Sequence, residues 1–254
     1  MEILITLIVS LGINLAMFVP AFIFKTDKLT DISYAVTFVV VALFGFFSGD
    51  ISLLKIIYVG AIGLWAVRLG SYLLIRISKI GKDKRFDGMR ENFFRFLRFW
   101  FLQGLTVWVV MIPGTYFLNS SASEDIVWPI IGLSVFLVGL LTEAFADLQK
   151  YRFINNPANK GKWIDSGLWS ISRHPNYLGE IMVWVGLYLF VLPSLVGNSI
   201  WVGLIGPLFI AFMIIFVSGI PILEKGADKM WGADPEYQKY KNETGILFPS
   251  FFKK

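Results

Sequence analysis

The sequence predicts an all-α membrane protein with about seven transmembrane helices. Of its 254 residues, 56% are hydrophobic and only 16% are charged, and the mean hydropathy is +0.67. Soluble domains usually carry about 25% charged residues. The chain also holds nine Trp, nine Tyr and 24 Phe, which indicates a lipid-facing surface rich in aromatic side chains. This composition argues against a water-soluble enzyme and against a disordered chain, which needs low hydrophobicity and high charge.

Seven apolar stretches are long enough, or nearly so, to cross a bilayer, which takes roughly 20 helical residues. They lie at about 1–24, 32–48, 51–78, 98–118, 127–149, 178–194 and 198–223. The first stretch is expected to remain in the protein as a span. It lacks the basic segment that begins a cleavable signal, and it is too long for the apolar region of such a signal.

The basic residues predict the orientation of the chain. If the chain crosses the membrane seven times, 21 of the 23 Lys and Arg residues fall on one side of it. The loops on the other side carry acidic residues such as Asp50, and Lys55 is the one cation near them. Because basic loops stay in the cytoplasm, we expect the N-terminus outside and the C-terminus in the cytoplasm. The lipid bilayer is the expected partner, and no nucleic-acid partner is expected, because no basic soluble domain is present.

Several classes of site are excluded by what the sequence lacks. Without cysteine there is no disulfide framework, zinc-thiolate site or thiol nucleophile, and a single histidine argues against a His-rich metal site, so no metal is expected. The chain has no G-x-G-x-x-G motif after a strand, no P-loop and no G-x-S-x-G elbow. Any nucleotide must therefore be bound by membrane helices and their loops.

One basic stretch between spans, residues 79–97, mixes Lys and Arg with Phe93, Phe94, Phe96 and Leu97. This pattern predicts an amphipathic helix that lies at the membrane surface.

Ionisable residues inside spans are functional candidates by default, because burying them in lipid costs several kcal/mol. Asp31 opens the second span after Thr30; it is either the N-cap of a helix or a carboxyl group that faces a substrate. Trp65 and Arg68 share one face of the third span. Trp65 is a packing or interface residue on the simpler interpretation, and Arg68 either extends to the membrane surface or has a paired role in a polar cavity.

Two acids, Glu143 and Asp147, are one helical turn apart near the basic end of the fifth span. They would repel each other in lipid unless they accept hydrogen bonds. A ligand or a neighbouring Arg or Lys could supply the donors.

The densest polar segment, residues 172–180, has the sequence SRHPNYLGE. Pro175 suits the first turn of a helix, and helix N-termini attract anions. Arg173 and His174 add positive charge beside it, and Asn176, Glu180 and Trp184 follow at four-residue spacing. Basic residues at the start of the helix, called the basic mouth below, would suit the phosphate of a ligand. The polar residues that follow along one helix face would suit a polar ring of the same ligand, lying deeper in the membrane. The simpler alternative is a helix cap with a buried hydrogen bond between Asn176 and Glu180.

Gly167-Leu168-Trp169 and the segment from Ser172 to Glu180 resemble the C-terminal domain of the steroid 5-alpha-reductase superfamily. More narrowly, the chain is similar to bacterial membrane proteins of uncharacterised function within it. Further matches lie at residues 64–69, 82–86, Gln103, Pro113, residues 147–150, 237–240 and 248–249.

The resemblance implies a single membrane-embedded reductase domain over 1–254 in a bacterial cytoplasmic membrane, with substrate-side helices in 1–118 and cofactor-side helices in 119–254. It implies transfer of a hydride from NADPH to the β-carbon of a C=C–C=O group in a lipid-soluble substrate. On the cytoplasmic side it implies that Asp147, Lys162, Asn176, Glu180 and Tyr240 bind the cofactor. Glu143 stands where the family often has Asn. We also expect Glu143, Lys160, Arg173, His174, Tyr177, Glu224 and Tyr237 to bind the cofactor.

The substrate side departs from the family pattern. A Gln-Glu pair and a Tyr surround the substrate carbonyl in steroid reductases, and Thr30-Asp31 and Trp65 stand at those positions here. We expect Asp31 and Trp65 to be catalytic and Thr30, Arg68 and Trp184 to line the substrate pocket. A Trp indole can donate a hydrogen bond but cannot relay a proton, so a steroid substrate is in doubt.

Two other functions stay open. Membrane methyltransferases of the isoprenylcysteine and phospholipid type share the Arg-His-Pro helix start and a Glu near the tail, for which Glu224 is the candidate; S-adenosylmethionine would then be the cofactor. The other alternative is a membrane protein that binds lipid or nucleotide without catalysis. The sequence does not identify the oligomeric state, and a monomer is compatible with it.

Overall fold

The computed structural model describes residues 1–81, 83–121 and 125–249. The longer helices are α1 (Glu2–Ile23), α2 (Lys28–Ser48), α3 (Leu53–Ile80), α4 (Phe93–Asn119), α5 (Val127–Ile154), α6 (Pro175–Val191), α7 (Asn198–Phe212), α8 (Ile220–Trp231) and α9 (Pro235–Glu243). A π-helical segment, Met213–Val217, follows α7, and short 3₁₀ turns lie at Lys84–Phe86, Pro157–Asn159, Gly167–Ser170 and Leu192–Ser194.

Within the described residues, seven helical stretches are long and apolar enough to cross a membrane, which confirms the predicted fold class. The first six correspond to α1–α6, and the seventh runs from Asn198 to Trp231. The helices extend past several predicted bounds, because a span continues into the polar interface wherever its backbone can stay helical. The side of the membrane on which each end lies stays a prediction.

The predicted surface helix over 79–97 is wrong. Helix α3 continues to Ile80, and α4 begins at Phe93, where the side chain of Asn92 accepts a hydrogen bond from the amide of Arg95. The described residues between them form turns, and Gly88 has a positive φ of 72°. A left-handed residue interrupts a right-handed helix, so the amphipathic pattern is divided between two helix ends.

The described residues group into two compact units. The first is made of those within 1–130 and 188–206, and the second of residues 131–187 and 207–249. In the first unit, α1, α2 and α4 pack on one another around polar side chains, and α2 also packs on α3. Gln103 Nε2 donates to Asn14 Oδ1 at 2.9 Å and to Ser33 Oγ at 3.0 Å. Asn14 donates in turn to Thr37 Oγ1 at 3.1 Å. Hydrogen-bonded partners remove most of the cost of burying these groups.

A buried ion pair fixes the turns that precede α4 in the first unit. The Arg90 guanidinium, 3% exposed, pairs with Asp27 and with Asp87. Asp27 also accepts the backbone amide of Asp83 at 2.8 Å. Burial alone would raise the pKa of Asp83, but hydrogen bonds from Arg85 outweigh it and lower that pKa. These contacts connect the start of α2 to a segment about 60 residues later.

Glycines bring α5 and α6 into close contact in the second unit. A Cβ added to Gly179 would lie 2.6 Å from the amide of Glu143 and from the carbonyl of Gly139, and one added to Gly186 would lie 2.7 Å from the carbonyl of Gly132. The glycines are spaced by seven residues on each helix, which is about two turns. Small residues of this kind let membrane helices approach at backbone distance.

Candidate active site

The close α5–α6 contact brings Asp147 and Asn176 together. Asn176 Nδ2 donates to Asp147 Oδ1 at 3.2 Å, and the Asp147 side chain is 5% exposed. Asn176 Oδ1 is buried and has no hydrogen-bond partner among the described residues. The pair therefore presents one unused acceptor in a buried position, where an unpaired polar atom is costly unless a ligand meets it.

The other predicted polar residues of these helices lie one or two turns away. Glu143 is 2% exposed and precedes Asp147 by one turn of α5, and Glu180 follows Asn176 by one turn of α6. Trp184, one turn further along α6, is 3% exposed. Tyr177 stacks on the His174 ring with 5.7 Å between ring centroids.

Glu224 of α8 joins Arg173 and His174, the two residues that precede α6. Its carboxylate accepts hydrogen bonds from Arg173 Nη1 and from His174 Nε2, both at 2.7 Å, and Lys241 Nζ lies 3.7 Å away. The acid neutralises part of the positive charge that the sequence alone assigns to the start of α6. Burial lowers the pKa of His174, although its hydrogen bond to Glu224 opposes the shift. His174 Nδ1 and Arg173 Nε have no partner among the described residues.

The C-terminal segment holds the backbone at the start of α6. The amide of Arg173 donates to the carbonyl of Gly245 at 2.9 Å, and that of His174 donates to Ile246 at 3.1 Å. Ser172 and Gly245 form a parallel β-bridge. Two amides that a phosphate could have used are therefore already bonded to the tail.

Two predicted cofactor residues, Tyr237 and Tyr240, connect the tail to the loop between α5 and α6. Tyr240 donates its hydroxyl proton to the carbonyl of Trp169 at 2.8 Å. Tyr237 is 3% exposed and packs its ring 5.3 Å from that of Trp163 and 5.9 Å from that of Trp231. Burial raises the pKa of both tyrosines, so they stay protonated at neutral pH. These contacts hold the loop and the tail together.

The loop that follows α5 contains a cavity of about 380 Å³. Polar side chains dominate its lining: Gln149, Arg152, Asn156, Asn159 and Ser166. Arg152, Asn156 and Asn159 were not predicted as site residues, although three Asn within a basic loop were a visible signal. Lys160 and Lys162 belong to the same loop, are exposed, and form no ion pair within the described part of the chain.

The predicted substrate residues lie in the first unit. The Thr30 hydroxyl donates to the carbonyl of Asp27 at 2.7 Å. Helix α2 begins at Lys28 with Asp27 as its N-cap, so the interpretation of Asp31 as the N-cap is wrong, and Asp31 lies half-buried in the first turns of α2. Trp65 is fully buried, with 5.1 Å between its ring and that of Phe38.

Arg68 follows Trp65 by about one turn of α3. Its guanidinium lies over the ring of Tyr72, 5.8 Å from the centroid. This is within the range of a cation–π contact.

A family model described as a protein of unknown function (DUF1295) matches residues 17–244, most of the chain. The chain belongs to this family. The family is part of the steroid 5-alpha reductase-like superfamily, which confirms the superfamily predicted from the SRHPNYLGE segment. Membership of a bacterial subgroup stays a prediction.

Three known proteins are similar to parts of this DUF1295 chain. A probable O-methyltransferase of Ustilaginoidea virens is 41% identical over 69 residues, which cover 27% of this chain and 24% of that protein. An uncharacterised Schizosaccharomyces pombe protein is 28% identical over 145 residues, and the match covers 48% of this chain and 39% of that protein. The Delta(14)-sterol reductase of Arabidopsis thaliana is 30% identical over 100 residues, and the match covers 34% of this chain and 27% of that protein.

In each case the match covers less than two-fifths of the relative's length. No solved structure matches the chain.

Proposed function

We propose that this DUF1295 protein is a membrane-embedded, NADPH-dependent reductase of a C=C bond conjugated to a carbonyl in a lipid-soluble substrate. The observation that carries the proposal is the buried Asn176–Asp147 pair with its unused Asn176 acceptor. Superfamily membership and the similarity to a sterol reductase support it. We place the cofactor side in the cytoplasm of a bacterial cell, from the charge pattern and the resemblance.

The residues of the second unit fit a phosphorylated cofactor with an amide-bearing ring. Asn176 Oδ1 can accept a hydrogen bond from a carboxamide, while Asp147 keeps the Asn176 amide oriented. Lys160, Lys162 and Arg152 are the cations available near the loop cavity, and such groups compensate phosphate charge. When bound, NADPH supplies the hydride. Arg173 is assigned a smaller part in phosphate binding, because Glu224 already pairs with it.

Reduction also requires a proton, and the first unit holds the candidates. A carboxyl group can donate a proton and then be reprotonated from water, so we assign this role to Asp31, which is half-buried near the end of its span. Trp65 is the other predicted catalytic residue, and its indole N–H can donate a hydrogen bond. It is fully buried beside Phe38 of α2.

Ligand-dependent thermal stability in detergent tests the cofactor assignment. A ligand at ~100 times its Kd adds about 2.7 kcal/mol to the stability of the folded state. We expect NADPH to raise the Tm by several degrees, and Asn176→Ala to remove most of that rise. The matched control is Asn242→Ala, because Asn242 is exposed on α9 and should leave the NADPH response unchanged.

Stabilisation by S-adenosylmethionine alone would overturn the reductase assignment. If NADPH does stabilise the protein, its oxidation in the presence of a panel of unsaturated lipid ketones should be followed by absorbance. We expect Asp31→Asn and Trp65→Phe to retain NADPH binding and to lose turnover. Unchanged turnover in both variants would exclude Asp31 and Trp65 as catalytic residues. Binding without turnover of any substrate would favour the non-catalytic alternative.

A methyltransferase is the second candidate, favoured by the Arg173–His174–Glu224 cluster and by the similarity to a probable O-methyltransferase. In that case S-adenosylmethionine should raise the Tm, and Glu224→Gln should weaken this response more than Asn176→Ala does. The comparison of the two variants separates the two cofactors within one assay.

A further inference from the structure

A groove between α2 and α3 of the first unit is not used by the residues discussed above. It encloses about 300 Å³. Its floor consists of Ala35, Ala66 and Gly70, and Ala35 Cβ would lie only 3.3 Å from a Cβ added to Gly70. Because Gly70 has no side chain, the two helices can approach closely there, and space is left above the point of contact.

The groove runs along both helices for about two turns. Its lining spans residues 32–40 of α2 and residues 66–74 of α3, which corresponds to ~12 Å along each axis at about 1.5 Å per residue. Among the described residues that line it, only Ser71 has a polar side chain. Val36 and Val67 form its rim and are 46% and 67% exposed. Both helices are candidate spans, so the groove opens toward lipid.

One end of the groove lies next to the predicted proton donor. Asp31 precedes Ala35 by four residues, so the two side chains share a helix face. Because residues 32 and 74 belong to the ends of α2 and α3 that carry basic flanks, this end faces the same side as Lys28 and Lys79. A molecule lying in the groove would therefore have one end at Asp31 and the other deep in the bilayer.

We propose that this groove binds the hydrocarbon chain of the substrate, and that the substrate is a long-chain lipid with its conjugated carbonyl at the Asp31 end. The inference rests on the proposed reductase function. A volume of about 300 Å³ extended over ~12 Å along the helices suits a flexible chain lying along the groove better than a plate of fused rings. Lipid tails are as apolar as the groove, so selectivity comes from van der Waals packing along the chain and from the polar end.

Photolabelling tests the proposal without requiring turnover. The probe is a straight-chain α,β-unsaturated ketone with a diazirine in its alkyl chain, added to the full-length protein in detergent and mapped by mass spectrometry. We expect labels to concentrate in residues 32–40 and 66–74. Val67→Trp should fill the groove and lower this labelling by about tenfold, the effect of losing burial for about two methylene groups.

Leu64→Trp is the matched control, because Leu64 lies on the same helix, is 53% exposed and does not line the groove. It should leave labelling unchanged. A fatty alcohol with the same diazirine reports bulk lipid contact, and we expect it to label the groove much less than the ketone does. Equal labelling by the two probes, or labels spread over all lipid-facing helices, would overturn the proposal.

The NADPH thermal shift separates this proposal from the function on which it rests. If NADPH fails to stabilise the wild-type protein, the reductase assignment fails. Groove-confined labelling that Val67→Trp abolishes would still support a chain-binding groove in that case. If NADPH stabilises the protein and a fused-ring enone blocks labelling better than a straight-chain enone, the reductase stands and the long-chain substrate is wrong.

Discussion

At the scale of single residues, His174 connects folding to pH. It is the one histidine of the chain, it is 5% exposed, and burial lowers its pKa even though it bonds to Glu224. An unfolded histidine titrates near ~6.5, so below that pH the unfolded state binds a proton that the folded state resists. The folded state therefore loses stability as the pH falls through this range.

We predict that the Tm of the wild-type protein decreases between pH 7.5 and about 5.5, and that His174→Gln reduces this slope. Differential scanning fluorimetry in detergent at a series of pH values measures the Tm of both proteins. Most carboxylates titrate below this window, near ~4, so the slope can be attributed to the single histidine. A wild-type Tm that is constant over the window, or an equal slope in the variant, would show that His174 is not held neutral.

Residue-level prediction failed where the partner is distant in the chain. The Thr30-Asp31 pair resembles a helix-cap signal, yet the N-cap is Asp27, whose carboxylate pairs with Arg90, 63 residues later. The sequence also assigned a basic mouth to α6, whereas Glu224, about 50 residues away, neutralises part of it. Local patterns carry no information about such pairs.

At the scale of secondary-structure elements, the α5–α6 contact controls the candidate site. We predict that Gly179→Ala destabilises the protein by about 1–3 kcal/mol, the usual cost of overpacking, because its Cβ would meet backbone atoms at 2.6 Å. Separation of the helices should also move Asn176 away from Asp147 and weaken the NADPH response.

Chemical denaturation and the NADPH thermal shift measure the two effects of Gly179→Ala. The control is Gly12→Ala in α1, where an added Cβ meets nothing within 4 Å and alanine is the better helix former. Equal stability of the two variants would mean that α5 and α6 are not in backbone contact.

At the scale of the whole molecule, the spans could be predicted because length and apolar composition alone decide whether a helix can cross a membrane. All seven were placed from the sequence, and α6 does begin at Pro175. The candidate site was only located in part. The segment from Arg173 to Glu180 was identified, but the glycine contacts, the loop cavity and the tail contacts depend on tertiary packing that has no local sequence signal.

The orientation of the chain is testable because the protein contains no cysteine. Asn198 and Asn242 are exposed, and the positive-inside pattern predicts that they lie on opposite sides of the membrane. We predict that a membrane-impermeant maleimide labels Asn198→Cys in intact cells and labels Asn242→Cys only after permeabilisation. The reverse result would place the cofactor residues outside the cytoplasm and exclude NADPH as their ligand.

The bonds from the tail to the start of α6 impose an order on biosynthesis. His174 receives its backbone partner from Ile246, 72 residues later, and Glu224 also follows it in the chain. During translation, α6 is therefore made and inserted before any of these partners has left the ribosome. Until the tail is made, the start of α6 lacks its hydrogen-bond partners from Gly245 and Ile246. A nonsense mutation shortly before residue 245 would therefore leave every span in place and still yield a protein without a completed site.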